Sequence, residues 1–132
     1  MSSAIKWLDL LGWTEEEMND LRFVAYSYIK QGHYKTALKF FEALAVLCPH
    51  SAYDLQTLGA LYLETGDNLT ALNYLDRSLQ IEANHPPTLL NRAKALLLLG
   101  YHKQGIGAAL QLQTHTDPKI RGQAEALILS YT

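Results

Sequence analysis

The side chains best suited to chemistry in this sequence are five histidines, His33, His50, His85, His102 and His115, and a single cysteine, Cys48. A zinc site needs several such ligands together, in patterns such as paired cysteines or two histidines one turn apart on a helix. Neither pattern occurs. The histidines fall mostly at glycine- and proline-containing boundaries between apolar stretches, there is no HExxH, and Cys48 has only His50 near it in sequence. The histidines are read as polar turn residues, and no metal is expected. Cys48 closes an apolar stretch with no adjacent basic residue to hold a thiolate, so it is read as a packing residue rather than a nucleophile. A GxxxxGK[ST] phosphate loop and a GxGxxG fingerprint are also missing. No catalytic residue and no cofactor is expected, and the enzyme class is set aside.

Charge and composition narrow the remaining classes. The 11 basic residues are spread along the chain against 13 acidic ones, which leaves no basic footprint for nucleic acid. Apolar residues make up 48% of the chain and charged residues 18%, a balance that buries a core instead of staying disordered. At 132 residues there is room for one ordinary domain. With one cysteine no intramolecular disulfide can form, which suits a reducing cytosol. Lys6 and Asp9 interrupt the first apolar stretch and no small-residue cleavage pattern follows, so no signal peptide is expected. No apolar run reaches the roughly 18 residues of a membrane span.

The elements that must position any functional group repeat. Leu21, Leu55 and Leu89 are spaced by 34 residues, and at the same spacing stand Ala25, Gly59 and Ala93; Tyr28, Tyr62 and Leu96; and Gly32, Gly66 and Gly100. A second segment repeats likewise, with Ala37, Ala71 and Gly105, then Leu38, Leu72 and Ile106, then Phe41, Leu75 and Ala109. Small residues allow close helix approach, and apolar residues three and four positions away make a stripe of helical period. The recurring glycines end the first helix of each pair. Helices are predicted over 15–31, 34–48, 51–65, 68–82, 86–99 and 102–114, with Thr14 and the acidic run Glu15, Glu16 and Glu17 starting the first. Gly105 and Gly107 make the last of these helices either loose or unusually close-packed.

The segments VAYSYIKQGHYKTALKFFEALAVLCP and LGALYLETGDNLTALNYLDRSLQIEAN resemble the two-helix unit of tetratricopeptide repeats. The expected fold is therefore an all-α solenoid of three helical hairpins, spanning 14–116 as units 18–51, 52–85 and 86–116. Residues 117–132, with Asp117, Pro118, Ile120, Ala124, Leu127 and Ile128, are expected to form a capping helix that covers the apolar edge of the last unit. Residues 1–13 are expected to form a short N-terminal helix with Trp7, Leu8 and Leu11 on one face. It packs either on the first repeat or on a second copy of the chain, as a homodimer contact.

In tetratricopeptide arrays the first helix of each pair lines a concave groove, and the resemblance assigns to it Asn19, Arg22, Phe23, Tyr26, Ile29 and Lys30 from the first unit. The second unit supplies Tyr53, Gln56, Thr57, Ala60, Leu63 and Glu64, and the third Leu90, Asn91, Lys94, Leu97 and Leu98. Anchors mixed with hydrogen-bonding groups suit a docked polypeptide. A carboxylate clamp of the cochaperone type is not expected, because only Arg22 matches a basic clamp position while Tyr26, Thr57, Pro87 and Asn91 occupy the others. The stretch FFEALAVLCPHSAYDLQTLGALY, with its phenylalanine-rich second helix and glycine-containing third, is similar to the small tetratricopeptide chaperones of bacterial type III secretion. That resemblance implies a cytoplasmic bacterial protein that keeps a secreted translocator, needle or export-apparatus subunit soluble, without inserting in the membrane. The same fold would also serve a general scaffold joining cytosolic proteins.

Overall fold

The computed structural model describes residues 12–132. The expected N-terminal helix, with Trp7, Leu8 and Leu11, lies outside the described residues. Seven helices follow among those described: α1 (Glu15–Lys30), α2 (Tyr34–Leu47), α3 (Ala52–Thr65), α4 (Asn68–Ile81), α5 (Pro86–Leu98), α6 (His102–Leu112) and α7 (Pro118–Ser130). Side-chain caps start four of them. Thr14, Ser51, Asp67 and Asp117 accept hydrogen bonds from the backbone N–H groups of Glu17, Asp54, Thr70 and Lys119. The tight turns inside the three hairpins pass through Gly32, Gly66 and Gly100 at φ +79°, +91° and +90°, the left-handed region where a Cβ is penalised.

The small residues of the first helices, Ala25, Gly59 and Ala93, are all buried. Ala25 and Phe41 are both fully buried, and a Cβ built on Gly59 would lie 2.5 Å from Leu75 Cδ2, so only glycine permits that approach. Aromatic pairs repeat with the same period: Tyr28 stacks on Phe40 with centroids 5.5 Å apart, and Tyr62 on Tyr74 at 5.7 Å. The Tyr62 hydroxyl donates to the Glu42 carboxylate, tying α3 to α2, and this bond to an acceptor pushes the Tyr62 pKa far above the usual phenol range. Phe41, Leu44, Leu55 and Leu58 fill the first core cluster, each burial being worth about 1.5–3 kcal/mol. A second cluster of Leu90, Leu112, Ile120 and Ala124 joins α7 to α5 and α6.

Consecutive helices pack side by side, and among the described residues the only non-consecutive pairs with Cα atoms within 8 Å are α3 with α5 and α5 with α7. The second helices α2, α4 and α6 never approach one another that closely. A stack whose first helices converge while its second helices diverge is curved, with α3, α5 and α7 on the inside of the bend.

Gly105 settles the two readings of α6 in favour of close packing. An added Cβ would lie 2.6 Å from Leu97 Cγ and 3.2 Å from the Leu97 backbone nitrogen, whereas nothing lies within 4 Å of the corresponding atom at Gly107. The two glycines therefore respond oppositely to alanine. Gly105→Ala is expected to lower the unfolding free energy by about 1–3 kcal/mol through overpacking, and Gly107→Ala to raise it by up to about 1 kcal/mol through helix propensity. Urea unfolding followed by circular dichroism measures both, and a shift of the same sign in each would contradict the crowding at Leu97.

Candidate functional site

The face built from α1, α3, α5 and α7 begins with one ion pair. Asp54, in the first turn of α3, has no exposed surface, and Arg22 of α1 grips it with two parallel bonds, Nε to Oδ1 and Nη2 to Oδ2, each 2.8 Å. The remaining arm of the guanidinium donates to Asn19 Oδ1, also at 2.8 Å. Hydrogen bonding to Asp54 raises the Arg22 pKa, partial desolvation opposes the rise, and the Cys48 thiol adds a smaller contribution in the same direction as Asp54. No Cα of α1 comes within 8 Å of one in α3, so the long arginine spans a separation that backbone packing does not close.

The next interface repeats the arrangement with neutral groups. Gln56 stands 34 residues after Arg22 and Thr88 the same distance after Asp54. The buried Thr88 hydroxyl donates to Gln56 Oε1 at 3.1 Å and also meets His85 Nδ1 at 2.7 Å. His85, read from sequence as a polar turn residue, is therefore part of an inter-hairpin link. At the third step Leu90 takes the place of Arg22 and Gln56, and the polar bond gives way to the apolar cluster with Ile120, Leu112 and Ala124.

These links decide which of the expected site residues reach solvent. On α1, Asn19, Phe23, Tyr26 and Lys30 are exposed while Arg22 and Ile29 are half-buried; on α3, Tyr53, Ala60 and Glu64 are exposed while Gln56, Thr57 and Leu63 are half-buried. On α5, Lys94 and Leu98 are exposed, Asn91 is half-buried, and Leu90 and Leu97 are buried. Phe23 keeps 72% of its surface exposed, and Tyr26, Tyr53 and Leu98 each keep 43%, a run of large apolar groups that water does not favour. The Lys30 ammonium lies 5.1 Å from the centre of the Tyr26 ring. Tyr53 leans edge-on against the buried Phe41, and burial raises its pKa above the ordinary phenol value.

Leu97 corrects the sequence reading. It is 2% exposed and packs on Gly105, so it belongs to the contact between α5 and α6 and offers nothing to a ligand. Of the four consecutive leucines, Leu96 and Leu97 face the interior, Leu99 is half-buried, and Leu98 alone is exposed. The sequence reading also missed the contribution of α7. Gln123, Ala126, Leu127 and Ser130 join Pro87, Leu90, Asn91 and Lys94 around a cleft of about 390 Å³ between α5 and α7. The signal was available: a helix that follows the third hairpin in the order of a first helix extends the inner layer as well as covering its edge. Among the described residues no group of three or more His, Cys, Asp or Glu is placed to hold a metal, and no helix is long and apolar enough to cross a membrane.

Antiparallel helix pairs repeating every 34 residues and curving toward their first helices define a tetratricopeptide-type helical-repeat protein. The family model for anaphase-promoting complex, cyclosome, subunit 3 matches residues 30–112, well over half of the sequence. The chain belongs to that family. No curated protein matches the sequence. Among solved structures, the fold is similar to the type III secretion translocator chaperone SycD of Yersinia enterocolitica, with a TM-score of 0.81 and 18% identity over 89% of this chain and 85% of that one. SycD in complex with a peptide of the translocator YopD matches with a TM-score of 0.77 and 20% identity, covering 90% and 98%. PcrH, a protein of Pseudomonas aeruginosa, matches in its complex with the chaperone binding region of PopD with a TM-score of 0.78 and 22% identity, covering 91% and 94%. At these identities the likeness is one of fold.

The ion pair makes a separate test of the architecture. Removing Arg22 strands a carboxylate that has no route to water, so Arg22→Met is expected to lower stability by about 3 kcal/mol. Arg22→Met combined with Asp54→Leu removes both charges and is expected to regain most of that loss. Urea unfolding of the two variants checks this, and a single variant as stable as the parent would contradict the role given to Asp54.

Proposed function

We propose that the protein is a bacterial cytoplasmic chaperone of type III secretion that holds an apolar segment of a translocator subunit across α1, α3, α5 and α7, and does so without turnover. The observation that carries this reading is the exposure of Phe23 and Tyr26 on α1, Tyr53 on α3 and Leu98 on α5, with Arg22 held back in an ion pair to the buried Asp54. A surface of aromatic and aliphatic anchors with few free charges suits an extended or helical apolar segment better than an acidic one. The fold it shares with SycD and PcrH supports the same choice of client, since SycD holds a peptide of the translocator YopD and PcrH the chaperone binding region of PopD. A needle or export-apparatus subunit is the second class of client for the same mechanism.

Chaperoning and scaffolding differ in what happens to the client alone. Coexpression with the translocator subunit encoded by the same organism is expected to move that subunit from the pellet to the soluble fraction. A client equally soluble with and without this protein would favour a scaffold. Tyr26→Ala and Leu98→Asp are each expected to weaken the complex by about 1–3 kcal/mol in calorimetry while leaving the helical signal intact. Affinity unchanged in both would move the binding surface elsewhere.

A further inference from the structure

The cleft between α5 and α7 combines an apolar wall with a cation that forms no ion pair among the described residues. Leu90, Ala126 and Leu127 supply apolar surface; Asn91, Gln123 and Lys94 supply the polar groups. Lys94 is the only charged residue lining it, is exposed, and takes part in neither of the ion pairs formed among the described residues, Arg22 with Asp54 and Arg92 with Asp76. On α1, Arg22 is paired with Asp54 and Lys30 lies over the ring of Tyr26. A volume of about 390 Å³ lies at the small end of ligand-binding pockets, with room for one or two side chains and not for a folded surface.

An occupant that is purely apolar would cover Leu90 and Leu127 but would also strip water from Lys94 with no compensating partner, which carries a desolvation penalty. A purely acidic occupant would leave the apolar wall wet. The occupant that answers both carries an aliphatic side chain in the cleft and a carboxylate within one or two residues of it, placed to pair with the ammonium.

We propose that this cleft is a specificity subsite that selects, within an otherwise apolar client segment, an aliphatic residue flanked by Asp or Glu, with Lys94 as the residue that reads the carboxylate. The inference rests on the reading that this face holds a polypeptide, and it adds a charge requirement that the anchors on α1 and α3 do not impose.

A random dodecapeptide library displayed on phage tests the subsite whatever the natural client is. Peptides selected on the parent protein are expected to carry an acidic residue next to an aliphatic one, and to bind Lys94→Glu about tenfold more weakly. Selection on Lys94→Glu is expected to replace the acidic residue with Lys or Arg, and Leu127→Ala is expected to weaken the original peptides without changing their preferred charge. Circular dichroism establishes that both variants remain folded. The same consensus and equal affinity from the parent and Lys94→Glu would overturn the subsite. If those peptides are nevertheless lost in Tyr26→Ala, the polypeptide-binding face survives and the charge requirement alone falls. Peptides insensitive to both changes, or no enrichment at all, would count against the subsite and the binding face together.

Discussion

A carboxylate with no exposed surface has to be neutralised where it stands, and in this protein that requirement falls on Asp54. Its partner is a single arginine one hairpin away, held by two parallel 2.8 Å bonds. The bidentate geometry fixes orientation as well as separation. Since no Cα of α1 comes within 8 Å of α3, the two inner helices are joined through side chains, by this ion pair and by the core cluster that Met18 and Ala25 share with Leu55 and Leu58. An apolar replacement could be equally stable, so the interaction is better understood as setting the relative position of the hairpins than as the source of stability. The first core cluster, packed around Phe41, Leu44 and Leu55, supplies that.

The series of links from Arg22 with Asp54, through Gln56 with Thr88, to the apolar contacts of Leu90 has a direct effect on the inner face. Each polar pair draws its groups into the contact between hairpins, and what remains exposed on α1 and α3 includes three aromatic side chains, Phe23, Tyr26 and Tyr53. Where the polar links stop, the α5 and α7 helices leave a cleft whose lining includes Lys94. The exposed groups of the inner helices thus change along the array, from Phe23, Tyr26 and Tyr53 on α1 and α3 to Lys94 and Leu98 on α5.

The repeat was legible in the sequence because its physical causes are local. Glycines must occupy left-handed turns, and Gly32, Gly66 and Gly100 do; small residues must mark helix crossings, and Ala25 and Ala93 are fully buried there while Gly59 admits Leu75. Helix limits follow the expected ones to within a residue or two for the same reason. Long-range partnerships were not legible. Arg22 and Asp54 are 32 residues apart, and nothing in either neighbourhood announces the pairing. Leu97 was placed on the wrong side because four consecutive leucines leave the phase of a helix undetermined, and only the position of Gly105 on the neighbouring helix resolves it. The α7 wall of the cleft was missed because its helix was assigned a covering role alone.

The proposed function depends above all on location, on the client lying along the inner face. Hydroxyl-radical footprinting of the protein with and without its captured client measures this directly, because large exposed side chains stand on both faces. A client on the inner face protects Phe23, Tyr26, Tyr53 and Leu98, with Val46 on α2 and Leu110 on α6 reacting as in the free protein. Protection of Val46 and Leu110 with continued reaction at Phe23, Tyr26, Tyr53 and Leu98 would contradict it.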